Sequence, residues 1–95
     1  MTAPQRTVRL RITGEVQRVG YRIWATRTAA GLGLRGWVRN RFDGSVEVLA
    51  TGLLGSIEAM VKACQSGPPA ARVAAVTVSD AEDDGSVGFG ARSTD

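Results

Sequence analysis

The chain has 95 residues, enough for one domain with one core and too few for a second catalytic domain, so residues 1–95 are expected to fold as a unit. About 43% of the residues are hydrophobic, spread in short runs. That excludes disorder, and no run reaches the roughly 18 to 20 apolar residues of a membrane span. Cys64 is the only cysteine and there is no histidine, which excludes an intrachain disulfide, a serine-histidine or cysteine-histidine nucleophile pair and the usual zinc sites. The formal charge is +3 and uneven: residues 1–41 hold nine arginines and one acid, Glu15, whereas residues 80–95 hold five acids and one base, Arg92. A basic half of this kind attracts anions. Nucleic acid is not the expected partner, because no basic cluster is interleaved with aromatics that could stack on bases. The start, MTAPQRTVRL, lacks the apolar stretch of a secretory signal, and the expected location is the cytoplasm.

Thr7 to Thr13 alternates, with Val8, Leu10 and Ile12 on one face and Thr7, Arg9, Arg11 and Thr13 on the other, the period of a half-buried strand. A glycine-bounded segment, Gly14 to Gly20, follows. Tyr21, Trp24, Ala25, Thr28 and Leu32 then recur at helical spacing, predicting a first helix over 21–32 with Gly33 placed to end it. Trp37 to Asn40 and Ser45 to Ala50 read as two strands, and Asp43-Gly44 between them is a hairpin signal. Leu53, Ile57, Met60, Val61 and Cys64 share one face of a second helix that must stop near Gly67, before Pro68 and Pro69. Val73, Val76 and Val78 mark a fourth strand. Asp80, Glu82, Asp83 and Asp84 lead into a polar turn, without the ligand spacing of a calcium hand. Residues 87–92 offer a short edge strand, expected to fray because Gly88, Gly90 and Ala91 bring little to pack. The order predicts an α+β, ferredoxin-like βαββαβ sandwich: an antiparallel sheet with two helices on one face.

Gly31, Gly33 and Gly36 spell the dinucleotide fingerprint G-x-G-x-x-G, but here it follows a helix and opens a strand. The fingerprint needs the reverse order, so these glycines read as a helix stop and a tight connection. The informative segment is Gly14 to Arg22, between a strand and a helix, where successive backbone N–H groups can form an anion-binding nest at the positive end of the helix dipole. Arg22 falls in the first helical turn, where that dipole disfavours a cation; a phosphate held by its guanidinium would account for it. Asn40 ends a strand beside a hairpin turn. From spacing alone, turn chemistry is the ordinary reading for it.

Taken together, Gly14, Val16, Gln17, Val19, Tyr21 and Arg22, then Gly36, Trp37, Val38, Asn40, Asp43 and Gly44, resemble the acylphosphatase family, whose patterns are G-x-V-Q-G-V-x-F-R and a later G-W-V-x-N followed by D-G. Ala29, Leu32, Gly33 and Leu34, and later Gly67, Pro68, Pro69, Ala71 and Val73, extend the likeness over roughly residues 7–78. The resemblance implies a ferredoxin-like fold and hydrolysis of a small-molecule acyl phosphate, with no metal, cofactor or covalent intermediate. It implies that the loop Glu15, Val16, Gln17, Arg18, Val19, Gly20 and Tyr21, together with Arg22, binds the phosphoryl group, and that Asn40 orients the attacking water. A monomer is expected. One departure stands out: Arg18 occupies the family's glycine position, so either the loop is strained there or the arginine touches substrate. Two alternatives carry different expectations. A non-catalytic phosphate- or RNA-binding module would use the same loop without turnover, and a module like that of the hydrogenase-maturation carbamoyltransferases would prefer carbamoyl phosphate, although no zinc-finger cysteines follow here.

Overall fold

The computed structural model describes residues 3–95. Its elements run β1 (Gln5–Glu15), α1 (Tyr21–Gly31), β2 (Arg35–Asn40), β3 (Val46–Leu53), α2 (Leu54–Ser66), β4 (Arg72–Asp80) and β5 (Phe89–Ala91). One five-stranded sheet has the order β4-β1-β3-β2-β5. Each neighbouring pair among the four long strands is antiparallel, as the ferredoxin-like reading expects, while β5 joins the β2 edge in parallel and makes the sheet mixed.

The alternation in β1 decides the two faces. Val8, Leu10 and Ile12 are at most 1% exposed and share one core with Val38, Val46, Val48 and Ala50 of the neighbouring strands. Tyr21, Ala25 and Ala29 of α1 and Ile57, Met60 and Cys64 of α2 close that core from the same side, because in each helix these residues recur every three or four positions. Leu53, expected on the second helical face, instead caps that helix in an extended conformation and is 47% exposed. Gly33 and Gly67 both take positive φ just beyond the last helical turns, as the stop signals predict.

The opposite face carries the arginines. Pairing of β1, β3 and β2 sets Arg11, Glu47 and Arg39 in one row. Glu47 there meets the guanidiniums of Arg9 at 3.0 Å, Arg39 at 2.7 Å and Arg41 at 3.3 Å. Arg11 pairs with Asp43. The guanidiniums of Arg39 and Arg92 each lie over the Trp37 ring, 4.7 Å from its centroid, and the indole N–H donates to Asp84 at 3.0 Å.

These contacts explain why β5 is held rather than frayed. The Gly36 N–H donates to the Gly88 carbonyl, the Arg92 N–H to Val38 and the Asp95 N–H to Asn40, so the strand is fixed by backbone bonds, by Arg92 on Trp37 and by Phe89 packed against the core edge. Asp84 anchors the preceding turn; hydrogen bonds from the Ser86 hydroxyl and N–H, then from Trp37, hold its carboxyl down at about 2.

Gly36 shows what the fingerprint-like glycines do. Its φ is 141°, and a Cβ there would collide with the carbonyl of Leu49 on β3. It therefore permits a close approach of two strands, with no helix beginning at it. Gly36→Ala should lower the free energy of unfolding by about 3 kcal/mol, because strain at positive φ adds to overpacking. A shift in the urea midpoint with an unchanged m-value is the expected signature.

Candidate active site

β1 shifts register against β4 between Thr13 and Gly14, stays paired with it through Glu15, and the chain then turns through residues 16–20 before α1 begins. Side chains on three sides fix this turn. Val16 is 1% exposed and plugs into the core. The Gln17 amide donates to the carbonyls of Arg41 and Ser45, 2.8 Å each, tying the loop to the β2–β3 hairpin. The Tyr21 hydroxyl donates to the Cys64 carbonyl at 2.7 Å, pinning the start of α1 to α2. Val19 packs against the core edge. Gly20, at φ 81°, provides the left-handed step into the helix.

With its side chains so occupied, the loop keeps its backbone donors free. Among the described residues, no N–H of residues 17–20 donates to a carbonyl. The N-terminal end of α1 is equally bare, having neither a capping side chain nor an acid in its first turn. Unpaired N–H groups together with the dipole make this a place where negative charge is favoured.

Val16, Arg18, Gly20, Tyr21, Arg22, Ile23 and Asn40 line a small cavity of about 110 Å³ at this turn. Arg22 and Asn40, separate in sequence, are thus brought to one place. Arg22 donates only to the Arg92 carbonyl, at 3.3 Å, and faces no carboxylate among the described residues. Asn40 offers its carbonyl to Asp95, while its side-chain amide has no hydrogen-bond partner among the described residues. Glu15 is not part of the cavity: it closes β1, exposed, with its carboxylate 3.9 Å from Arg72. Ile23 escaped the sequence reading. It is 62% exposed, off the buried stripe of α1, and an isoleucine on the wet side of a helix beside Arg22 was the available signal.

Titrating groups elsewhere have other work. Burial pushes the Cys64 thiol up to about 11, so at neutral pH it stays protonated in the core and is no nucleophile. Burial likewise raises the Tyr21 hydroxyl. The Ser45 hydroxyl and N–H, aided by Arg11, hold the Asp43 carboxyl below the usual carboxylate range, which fixes the hairpin turn rather than supplying an acid. Among the described residues, no group of three metal-binding side chains is gathered, and no helix is long and apolar enough to cross a membrane.

An α+β sandwich with a bare strand-to-helix turn beside an arginine and an asparagine is a ferredoxin-like architecture that matches solved acylphosphatases. The Acylphosphatase family model matches residues 8–90, so the chain belongs to the acylphosphatase family. A curated acylphosphatase of Rhodospirillum rubrum is 57% identical over 68 residues, covering 72% of this chain and 75% of that one. Among solved structures, an acylphosphatase from Coxiella burnetii superposes with a TM-score of 0.89 at 31% identity, covering 93% of each chain. The acylphosphatase from Bacillus subtilis gives 0.87 at 33% identity, over 90% of this chain and 97% of that one. The chain is accordingly an enzyme, a hydrolase acting on acyl phosphates.

Arg18 has a φ of 64°, the one non-glycine residue with positive φ among the described residues. The departure at this position is therefore real backbone strain, which for a residue bearing a Cβ costs about 1 to 2 kcal/mol. Arg18→Gly should raise the free energy of unfolding by about 1 kcal/mol, the relief of strain being partly offset by glycine's greater unfolded-state entropy. Chemical denaturation of the two proteins side by side measures it.

Proposed function

We propose that the enzyme binds the phosphoryl group of an acyl phosphate in the turn between β1 and α1, with the N–H groups of residues 17–20 and the Arg22 guanidinium as donors. The observation that carries this reading is the run of unpaired N–H groups beside an arginine that faces no carboxylate. A phosphoryl dianion meets both needs at once. Asn40, which lines the same cavity, orients the attacking water.

The chemistry asks little more. Water attacks phosphorus, the bond from phosphorus to the acyl oxygen breaks, and the products are a carboxylate and inorganic phosphate. The carboxylate is a good leaving group, so positioning and charge stabilisation suffice where a phosphate monoester would demand more. The proton of the water passes to a phosphoryl oxygen, since no histidine exists and Asp43 is bound into its turn. Neither a metal nor a covalent intermediate enters the scheme. The protein acts as a monomer in the cytoplasm and has no nucleic-acid partner. Trp37, the large aromatic of the outer sheet face, is 5% exposed and covered by two guanidiniums, so it offers no base a platform.

The roles of Arg22 and Asn40 separate in one set of measurements. Arg22→Ala should weaken both phosphate binding and turnover. Asn40→Ala should lose about 10² to 10³ in kcat, the usual cost of one oriented polar group, while phosphate still raises its melting temperature as in the wild type. Hydrolysis of benzoyl phosphate should survive exhaustive chelation. Asn40→Ala retaining more than about a tenth of wild-type kcat would reduce Asn40 to a turn residue.

A further inference from the structure

Eleven of the twelve basic residues are arginine, and eight of these reach a carboxylate within 4.0 Å: Arg6, Arg9, Arg11, Arg35, Arg39, Arg41, Arg72 and Arg92. Among the described residues, only Arg18, Arg22 and Arg27 do not. Two of those three line the same 110 Å³ cavity. A cavity of about 270 Å³ on the outer face, among Arg9, Arg11 and Arg41, also holds Asp43 and Glu47, so each of its guanidiniums already meets a carboxylate. Uncompensated positive charge is thus concentrated at the turn before α1, where the helix dipole adds to it.

On the reading above, Arg22 and the loop N–H groups satisfy the phosphoryl dianion. Arg18 is then a surplus cation. It is exposed, stands three residues before the helix, and remains in a strained left-handed conformation that glycine would adopt at no steric cost. Strain retained beside a site is a reason to look for a gain at that site. Nothing inside the protein provides one, since neither a carboxylate nor a carbonyl receives the Arg18 guanidinium among the described residues. Exposed Ile23 on the same cavity supplies an apolar shelf for the carbon skeleton of an acyl group.

We propose that Arg18 is a specificity-determining residue: its free guanidinium at the mouth of the cavity favours acyl phosphates whose acyl group carries a second negative charge, such as a carboxylate. The inference rests on the placement of the phosphoryl group at Arg22 and the loop. A substrate with an uncharged acyl group leaves Arg18 unpaired, whereas one bearing a carboxylate forms an ion pair that the strained loop holds ready.

The test is the ratio of kcat/KM for 4-carboxybenzoyl phosphate to that for benzoyl phosphate, compared across variants so that the intrinsic reactivity of each mixed anhydride cancels. Arg18→Gln removes the charge and keeps the strain, Arg18→Gly removes both, and Arg18→Lys keeps both. The ratio should fall about fivefold in the Gln and Gly variants, the upper end for a solvent-exposed ion pair, and stay near wild type in Lys. Added salt should lower the wild-type ratio and leave that of Arg18→Gln unchanged. A wild-type enzyme that hydrolyses benzoyl phosphate with a ratio indifferent to position 18 overturns this inference and leaves the phosphoryl placement standing. A ratio that falls in Gly but not in Gln also overturns it, because loop conformation and not charge would then be the cause. Failure of the wild type to hydrolyse benzoyl phosphate at all would overturn both.

Discussion

Backbone N–H groups that find no carbonyl must find something else, and the turn between β1 and α1 leaves four of them in succession without an internal partner among the described residues. Such groups are tolerable only where water or an anion can reach them. The surrounding structure keeps them reachable and keeps them still. Val16 and Tyr21 bury their side chains to either side of the turn, and Gln17 spends its amide on the hairpin, so the backbone between them cannot relax into the core or pair with β2. The side chains of the loop motif serve mainly to hold the loop, and its backbone donors are left free.

The same logic extends to the two faces of the sheet. One face carries the core and both helices, so the positive end of α1 is fixed relative to Asn40 at the end of β2. The other face holds most of the basic half of the chain, but there every arginine meets a carboxylate, Glu47 being shared by three of them and Asp43 and the C-terminal acids taking the rest. What the sequence presents as a diffuse basic half is, in three dimensions, a surface whose arginines all meet carboxylates plus one turn where two arginines meet none. Anion attraction is thereby directed to the end of the sheet where the loop lies.

Much of this architecture was legible in the chain itself. The alternation of Val8, Leu10 and Ile12 with Arg9 and Arg11 determines which face is buried, and the spacing of Ile57, Met60 and Cys64 determines how α2 lies on it. The loop and Asn40 could be paired only through a family pattern, because nothing in the spacing of residues 22 and 40 says that a strand and a helix will bring them to one cavity. Three features had no local signature. β5 depends on backbone bonds to β2 and on Arg92 against Trp37, neither of which leaves a periodic trace in Phe89-Gly90-Ala91. The triple claim on Glu47 follows from strand register. Ile23 reaches the cavity because it lies off the helix's buried stripe, the place a search for core residues does not look.

The central claim, that the turn's own N–H groups receive the phosphoryl group, is tested most directly by titrating the isotopically labelled protein with inorganic phosphate and following every backbone amide by NMR. The account predicts saturable shifts largest at residues 17–22, with smaller ones at Asn40, and little change along the outer-face residues Arg9, Arg11 and Arg41. Saturable shifts centred on that outer face, with residues 17–20 unmoved, would contradict it.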